Sequence, residues 1–184
     1  MRKLVVFNMV SLDGFIADEH GDMTWAFKED EQWRAFVRSN ASGGGGLIFG
    51  RVTYEHMVSF WPTPEAAQWN PVVAERMNAV PKVVFSTTLP SATWNNTELV
   101  RSDLPGAIKR LKSEDGPRLT ILGSGSIVSQ CAQAGLIDEY QVVVNPIILG
   151  RGLSMFQTVS DKRKLTLAAS RQFDNGNVLL TYAA

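Results

Sequence analysis

Three short stretches of this chain combine residue types that can hold an anion. The first is Gly123-Ser124-Gly125-Ser126, which follows the apolar run Leu119 to Leu122 and precedes Ile127, Val128, Cys131 and Ala132 at helical spacing. The pattern reads strand, tight turn, helix. Glycines at 123 and 125 release the backbone into conformations that a side chain resists, Ser126 is a suitable N-cap and Gly135 a suitable stop. Such a turn aims backbone N–H groups and the positive end of a helix at one point, where a pyrophosphate can sit. The same turn also serves plain packing in many α/β proteins. It is not the Rossmann fingerprint, because Val128 holds the third glycine position and no acidic residue ends the next strand to take a ribose.

Gly50-Arg51-Val52-Thr53 repeats the theme after Leu47-Ile48-Phe49. Arg51 falls in the first turn of the helix predicted there, where a cation opposes the dipole. Either it pairs with a carboxylate or it awaits an anionic ligand. Ser86-Thr87-Thr88 is the third stretch, a hydroxyl cluster where Lys82 to Phe85 ends, although hydroxyls also make ordinary turns. Other reactive residue types offer less. Cys131 lies on an apolar helix face and reads as a buried thiol rather than a nucleophile. His20 and His56 fall on a loop and a surface helix, Asp138 and Glu139 beside a helix end, and no metal site is expected.

The elements that must position these residues follow from the apolar patterning. Leu4 to Met9 is apolar enough for a central strand, and Ser11-Leu12-Asp13-Gly14 turns into a brief extended return at Phe15-Ile16-Ala17. Trp33, Phe36 and Val37 predict an amphipathic helix over 29–39, broken by Ala41-Ser42 and four glycines at 43–46. That glycine run reads as a linker rather than a phosphate cradle, since no helix follows it directly. After a loop rich in Trp and Pro, Asn70-Pro71 starts a helix through Val80. A helix over 105–113, a strand from Asp138 to Asn145 and a hairpin complete the chain. The hairpin joins Leu165–Phe173 to Val178–Tyr182 through Asp174-Asn175-Gly176-Asn177. Strands that alternate with helices early and pair as a hairpin late predict an α/β fold with a mixed sheet under helices.

Bulk properties narrow the function. The 184 residues suit one domain, 1–184, with a sizeable core. Apolar residues make up 45% and charged residues 20%, with eighteen basic and eighteen acidic side chains, so nothing points to nucleic acid or anionic lipid. No apolar run approaches a membrane span, and one cysteine excludes an internal disulfide, which suits a cytoplasmic protein.

Taken with Ser11 to Ala17, with Gly135-Leu136-Ile137-Asp138-Glu139 and with Asn145-Pro146-Ile147-Ile148-Leu149-Gly150-Arg151-Gly152, the three stretches resemble the dihydrofolate-reductase-like superfamily. The nearest branch is that of the C-terminal reductase domain of the riboflavin-biosynthesis protein. The resemblance covers nearly the whole chain. It implies a three-layer α/β/α fold with a mostly parallel sheet and an antiparallel C-terminal hairpin, NADPH as cofactor, and a cytoplasmic homodimer. By position, Arg51 with Ser86 and Thr87 would hold the adenosine 2′-phosphate beside Gly50 and Val52. Thr53 and the turn Gly123, Ser124, Gly125, Ser126, Ile127 would hold the pyrophosphate. Backbone near Asn8, Ile16 and Ala17 would fix the nicotinamide carboxamide.

The implied reaction is reduction of an electron-poor C=N or C=O carbon in a pyrimidine- or pteridine-type heterocycle. The riboflavin branch's own substrate is 5-amino-6-(5-phosphoribosylamino)uracil. Two departures bear on it. Gln32, with Glu31 beside it, stands where a folate reductase carries its pterin-binding carboxylate. Between Asp22 and Asp30, Lys28 is the only cation for a ribose phosphate. Asp13 and Glu31 are the candidate catalytic carboxylates, and Trp25, Phe27, Gln32 and Trp61 are candidates for the substrate pocket. The alternative is a non-catalytic, NADP-binding regulatory dimer.

Overall fold

The computed structural model describes residues 1–28, 30–43 and 45–184. In chain order the elements are β1 (Leu4–Ser11), β2 (Phe15–Ala17), α1 (Glu31–Ser42), β3 (Gly46–Gly50), α2 (Arg51–Phe60), α3 (Pro64–Trp69), α4 (Pro71–Ala79), β4 (Lys82–Phe85) and β5 (Thr97–Val100). They continue as α5 (Leu104–Ser113), β6 (Leu119–Leu122), α6 (Gly125–Gln133), β7 (Glu139–Asn145), β8 (Leu153–Ser154), β9 (Thr166–Gln172) and β10 (Val178–Ala183). Eight strands form one sheet in the order β5-β4-β3-β6-β1-β7-β10-β9, while β2 and β8 pair separately. From β5 to β7 every neighbour is parallel, and β10 and β9 then run antiparallel. This is the mixed sheet with a C-terminal hairpin that the patterning predicts, and it is mostly parallel as the family resemblance implies.

Alternation of side chains along the strands separates two helical layers. Leu47, Phe49 and Val84 pack with Tyr54 of α2, with Val73 and Met77 of α4 and with Val37 and Ala41 of α1. Their neighbours Ile48, Val83 and Phe85 point the other way, into a core with Leu104, Ile108 and Leu111 of α5 and with Ile127, Val128, Cys131 and Ala132 of α6. A third cluster under the hairpin joins Trp33 and Phe36 to Val143, Phe173 and Leu179. Cys131 is fully buried in the core of α5 and α6 as an apolar contact, and burial raises its thiol pKa to about 12.

Two devices fix helix ends to this sheet. Lys82, only 1% exposed, donates its ammonium to the carbonyls of Met77, Asn78 and Val80 at 2.9, 3.2 and 2.7 Å, so it closes the end of α4. It also lies 4.5 Å over the Trp94 ring. Gly135 at φ +65° ends α6, with Leu136 N–H donating to Cys131 O and Gly135 N–H to Ala132 O, as its sequence position predicts.

Several expectations need correction. The first helix begins at Glu31 behind Asp30, whose Oδ1 accepts from Trp33 N–H at 2.6 Å, and it continues through Ser42 instead of breaking at Ala41. Glu29 and Gly44, which fall within the predicted helix and the glycine run, lie outside the described residues. The Trp- and Pro-rich loop contains α3, capped by Thr63 with Pro64 in its first turn. β5 and β8 have no counterpart in the patterning. One is a four-residue edge strand that is nowhere fully buried, and the other has two residues. The expected start of β7 at Asp138 moves to Glu139, because the Asp138 carboxylate accepts from Leu4 N–H at 2.7 Å and pairs with Lys112 at 2.6 Å.

Candidate functional site at the carboxyl edge of the sheet

Because β3, β4 and β6 are parallel neighbours, their three exits lie along one edge. β3 feeds α2 on the face covered by α1 and α4, whereas β6 feeds α6 on the opposite face. Adjacent strands that send helices to opposite faces leave a crevice between them, the usual ligand position in an open α/β sheet.

A hydrogen-bonded node closes the floor of that crevice. Ser124 Oγ accepts from Gly50 N–H at 2.7 Å and donates to Thr53 Oγ1 at 2.9 Å. Ser124 N–H also donates to Thr53 Oγ1, at 3.1 Å. Gly123 and Ser124 both take left-handed conformations, φ +56° and +55°. A Cβ on Gly123 would lie 2.9 Å from Thr53 Oγ1, so only glycine allows the turn to approach α2 this closely.

The node explains a contrast among the helix starts. α1, α3, α4 and α5 are capped by the side chains of Asp30, Thr63, Asn70 and Asp103. α2 and α6 begin at Gly50 and Ser124 with no side-chain cap. The serine that could cap α6 is joined to α2 instead. Both uncapped ends therefore face the crevice, where their first-turn N–H groups suit an anion. The sequence assigns the cap to Ser126, which instead is an exposed residue within the first turn of α6.

The remaining candidates surround this floor. Arg51 pairs with Glu55 at 2.7 Å across one helical turn, and both side chains are 44% exposed, so the first of its two alternatives is met while its guanidinium stays in solvent. Val52 beside it is 54% exposed. Ser86 Oγ accepts from the N–H groups of Thr88 and Leu89, leaving Thr87 exposed at the next exit. Asn8 is buried and donates its amide to Gly123 O and Met155 Sδ, which ties β1 to the turn. The β2–β8 pair roofs the start of α6, since a Cβ on Gly125 would meet Ile16 Cδ1 and Ser154 O at 3.0 Å. Ala17 is packed against Gly152, where no side chain would fit.

With this geometry in hand, residues 2–179 match the RibD C-terminal domain. The chain belongs to that family. Among its relatives, the Bacillus subtilis protein YwjB is 27% identical over 175 residues, covering 94% of this chain and 92% of that protein. A candidate riboflavin biosynthesis protein from Shewanella sp. PV-4 superposes with a TM-score of 0.73 at 24% identity, covering 98% of each chain. The Thermotoga maritima diaminohydroxyphosphoribosylaminopyrimidine deaminase/5-amino-6-(5-phosphoribosylamino)uracil reductase gives 0.67 at 17% identity, with 99% of this chain on 56% of that one. At these identities the likeness is one of fold.

In this RibD C-terminal domain the other half of the same edge is built by the β9–β10 turn and the start of α1. Asp30 Oδ2 accepts from Asn175 N–H, Asn175 Nδ2 donates to Lys28 O, and Gln32 Nε2 donates to Asp174 Oδ2 at 2.6 Å. Gln32 thus holds the hairpin, and Glu31 beside it is exposed. Asp13 accepts from Leu149 and Gly150 N–H at 3.1 and 2.7 Å. Hydrogen bonding from Ser11 first, then from Gly150 and Leu149, holds its pKa below the ordinary value. Trp25 donates its indole to Asp22 O, and Phe27 is 64% exposed. Trp61 lies elsewhere. Its carbonyl accepts from Asn78, just before β4 begins, at the amino edge of the sheet. Sequence reading missed Asp30 and Asn175, whose types signal only a cap and a turn. It also missed Asn145 and Asn177, fully buried where β7 ends and β10 begins. Asn145 Oδ1 and both amide atoms of Asn177 have no hydrogen-bond partner among the described residues.

Proposed function

We propose that this chain is an NADPH-dependent reductase acting on a small heterocycle of pyrimidine or pteridine type, of the kind the riboflavin pathway uses. The observation that carries the reading is the pair of uncapped helix starts at adjacent strands, joined by the Thr53–Ser124–Gly50 node. Family membership and the reductase activity named for the Thermotoga neighbour support the same reading.

The cradle fits a dinucleotide diphosphate. Glycine at 123 and 50 lets the turn and the start of α2 close on each other, and the turn supplies N–H donors without a competing carboxylate. NADPH, when bound, supplies a hydride. The chain's part is to grip and orient: Thr53 and the 123–127 turn at the diphosphate, Arg51 with Ser86 and Thr87 at the 2′-phosphate, and Asn8 and Ile16–Ala17 toward the nicotinamide. The heterocycle would enter between this half of the edge and the one built by Asp30, Gln32 and the hairpin turn.

One observation favours the alternative of a non-catalytic NADP-binding regulator. The carboxylate of Asp13 and the amide of Gln32 are both engaged in holding loops. Incubating the protein with NADPH and a panel of pyrimidine and pteridine substrates separates the two. The reductase reading expects NADPH consumption with at least one heterocycle, whereas saturable NADPH binding without turnover across the panel favours the regulator. We further read the active assembly as a homodimer, on the grounds of the exposed edge strand β9.

A further inference from the structure

Glu55 stands one helical turn beyond Arg51, beside the exit of β3. Its Oε2 accepts from Arg51 Nη1 at 2.7 Å, and among the described residues Glu55 pairs with no other cation. The pair runs against two preferences of a helix. A cation in the first turn opposes the dipole, and a base four residues before an acid is the weaker of the two orders. No acidic residue in the first turn of α2 compensates. Support of the helix therefore does not explain why these two residues are paired here.

Each partner is only half engaged. Arg51 gives Nη1 to Glu55, while Nε and Nη2 have no partner among the described residues. Glu55 uses Oε2, and its Oε1 accepts no hydrogen bond there. A fork of donors that suits a phosphate thus stands beside a carboxylate oxygen that suits a hydroxyl. Those are the two groups by which nicotinamide dinucleotides differ, a phosphate or a hydroxyl at the adenosine 2′ position. The neighbouring exit does not discriminate between them. Ser86 Oγ is committed to the N–H groups of Thr88 and Leu89, and the Thr87 hydroxyl is uncharged.

We propose that Glu55 is a specificity-determining residue that opens the site to NADH beside NADPH. The inference rests on the proposed function, which sets the adenosine 2′ position at Arg51. With NADPH, the phosphate lies on Nε and Nη2, and the Glu55 charge next to it weakens the contact. With NADH, the Arg51–Glu55 pair stays closed and Oε1 accepts from the 2′-hydroxyl. A carboxylate has that role in Rossmann sites, where it stands at a strand end. In this chain it would come from the second turn of α2.

Calorimetric titration of NADPH and NADH into the full chain tests this with three variants. The wild type should bind both cofactors, with dissociation constants within about tenfold of each other. Glu55→Gln removes the charge and keeps an acceptor oxygen, so it should tighten NADPH by about threefold and leave NADH within about twofold. Glu55→Ala removes both, and should tighten NADPH while weakening NADH several-fold. A merely structural role in α2 would move the two cofactors in the same direction. Arg51→Ala separates the two levels of the argument. If it weakens NADPH alone, the cofactor placement stands, and unchanged NADPH affinity in both Glu55 variants, unchanged NADH affinity in Glu55→Ala, or NADH more than about tenfold weaker than NADPH in the wild type overturns the inference by itself. If it weakens both cofactors equally, or if the wild type binds neither, the placement falls and the inference falls with it.

Discussion

Arg51 stands in a first helical turn where its charge is unfavourable, and it is met there by a single exposed carboxylate, Glu55. An exposed pair of this kind contributes at most about 1 kcal/mol, so stability does not account for a cation in that position. The proposed cofactor phosphate would. Arg51→Ala should lower NADPH affinity by about tenfold to a hundredfold, the range of a charged hydrogen bond, and leave NADH affinity within about twofold. Fluorescence titration with the two cofactors checks this, and equal losses would show that Arg51 does not read the 2′-phosphate. Arg51 was legible in the sequence because helix polarity marks it. The bonding role of Ser124 was not, because in Gly-Ser-Gly-Ser either serine can cap, and only the approach of Thr53 on α2 decides which one turns away. Gln32 and Asp13 show the same limit. Their types suit chemistry, and their partners, Asp174 and the 149–150 backbone, lie more than a hundred residues away in sequence.

At the scale of elements, the 123–125 turn carries most of the site, and its tolerance to change separates conformational strain from contact. Gly14 has φ +89° with open space around it, whereas Gly123 combines φ +56° with Thr53 Oγ1 at 2.9 Å from a built Cβ. Gly14→Ala should cost only the left-handed strain of roughly 1–2 kcal/mol. Gly123→Ala should cost more than that and also weaken NADPH and NADH alike, since the diphosphate is common to both. Thermal unfolding and cofactor titration of the two variants read this directly. The junction of α4 and β4 makes a different prediction. Burial lowers the Lys82 pKa from 10.5 to about 8. Between those values the unfolded chain binds more protons than the folded one, so this group makes stability rise with pH from about 8 to 10.5. Across that range the wild type should gain stability relative to Lys82→Met as pH rises, and a constant difference between the two would contradict the assignment. β1 and α6 were legible from apolar patterning, and α4 from its Asn70-Pro71 start. β5 and β8 were not, since an edge strand and a two-residue bridge exist only through their partners.

For the whole molecule, the sheet ends in a strand that nothing covers. All seven residues of β9, Thr-Leu-Ala-Ala-Ser-Arg-Gln, are exposed, and the strand carries one charge and no proline, an edge that folded proteins usually protect. With a formal net charge of +0, two copies do not repel. Pairing of β9 with its own copy about Ala169 would set Leu167 against Arg171 and oppose no like charges. Sedimentation should therefore show a dimer for the wild type and a monomer for Ala169→Lys, while a monomeric wild type would remove the dimer from the account.

The central claim is that the exits of β3, β4 and β6 form one cofactor site. An NADPH titration followed by amide chemical shifts tests it most directly. The account predicts saturable shifts with a common dissociation constant at residues 50–53, 86–87 and 123–127. Shifts confined to one of these groups, or none that saturate, would contradict it.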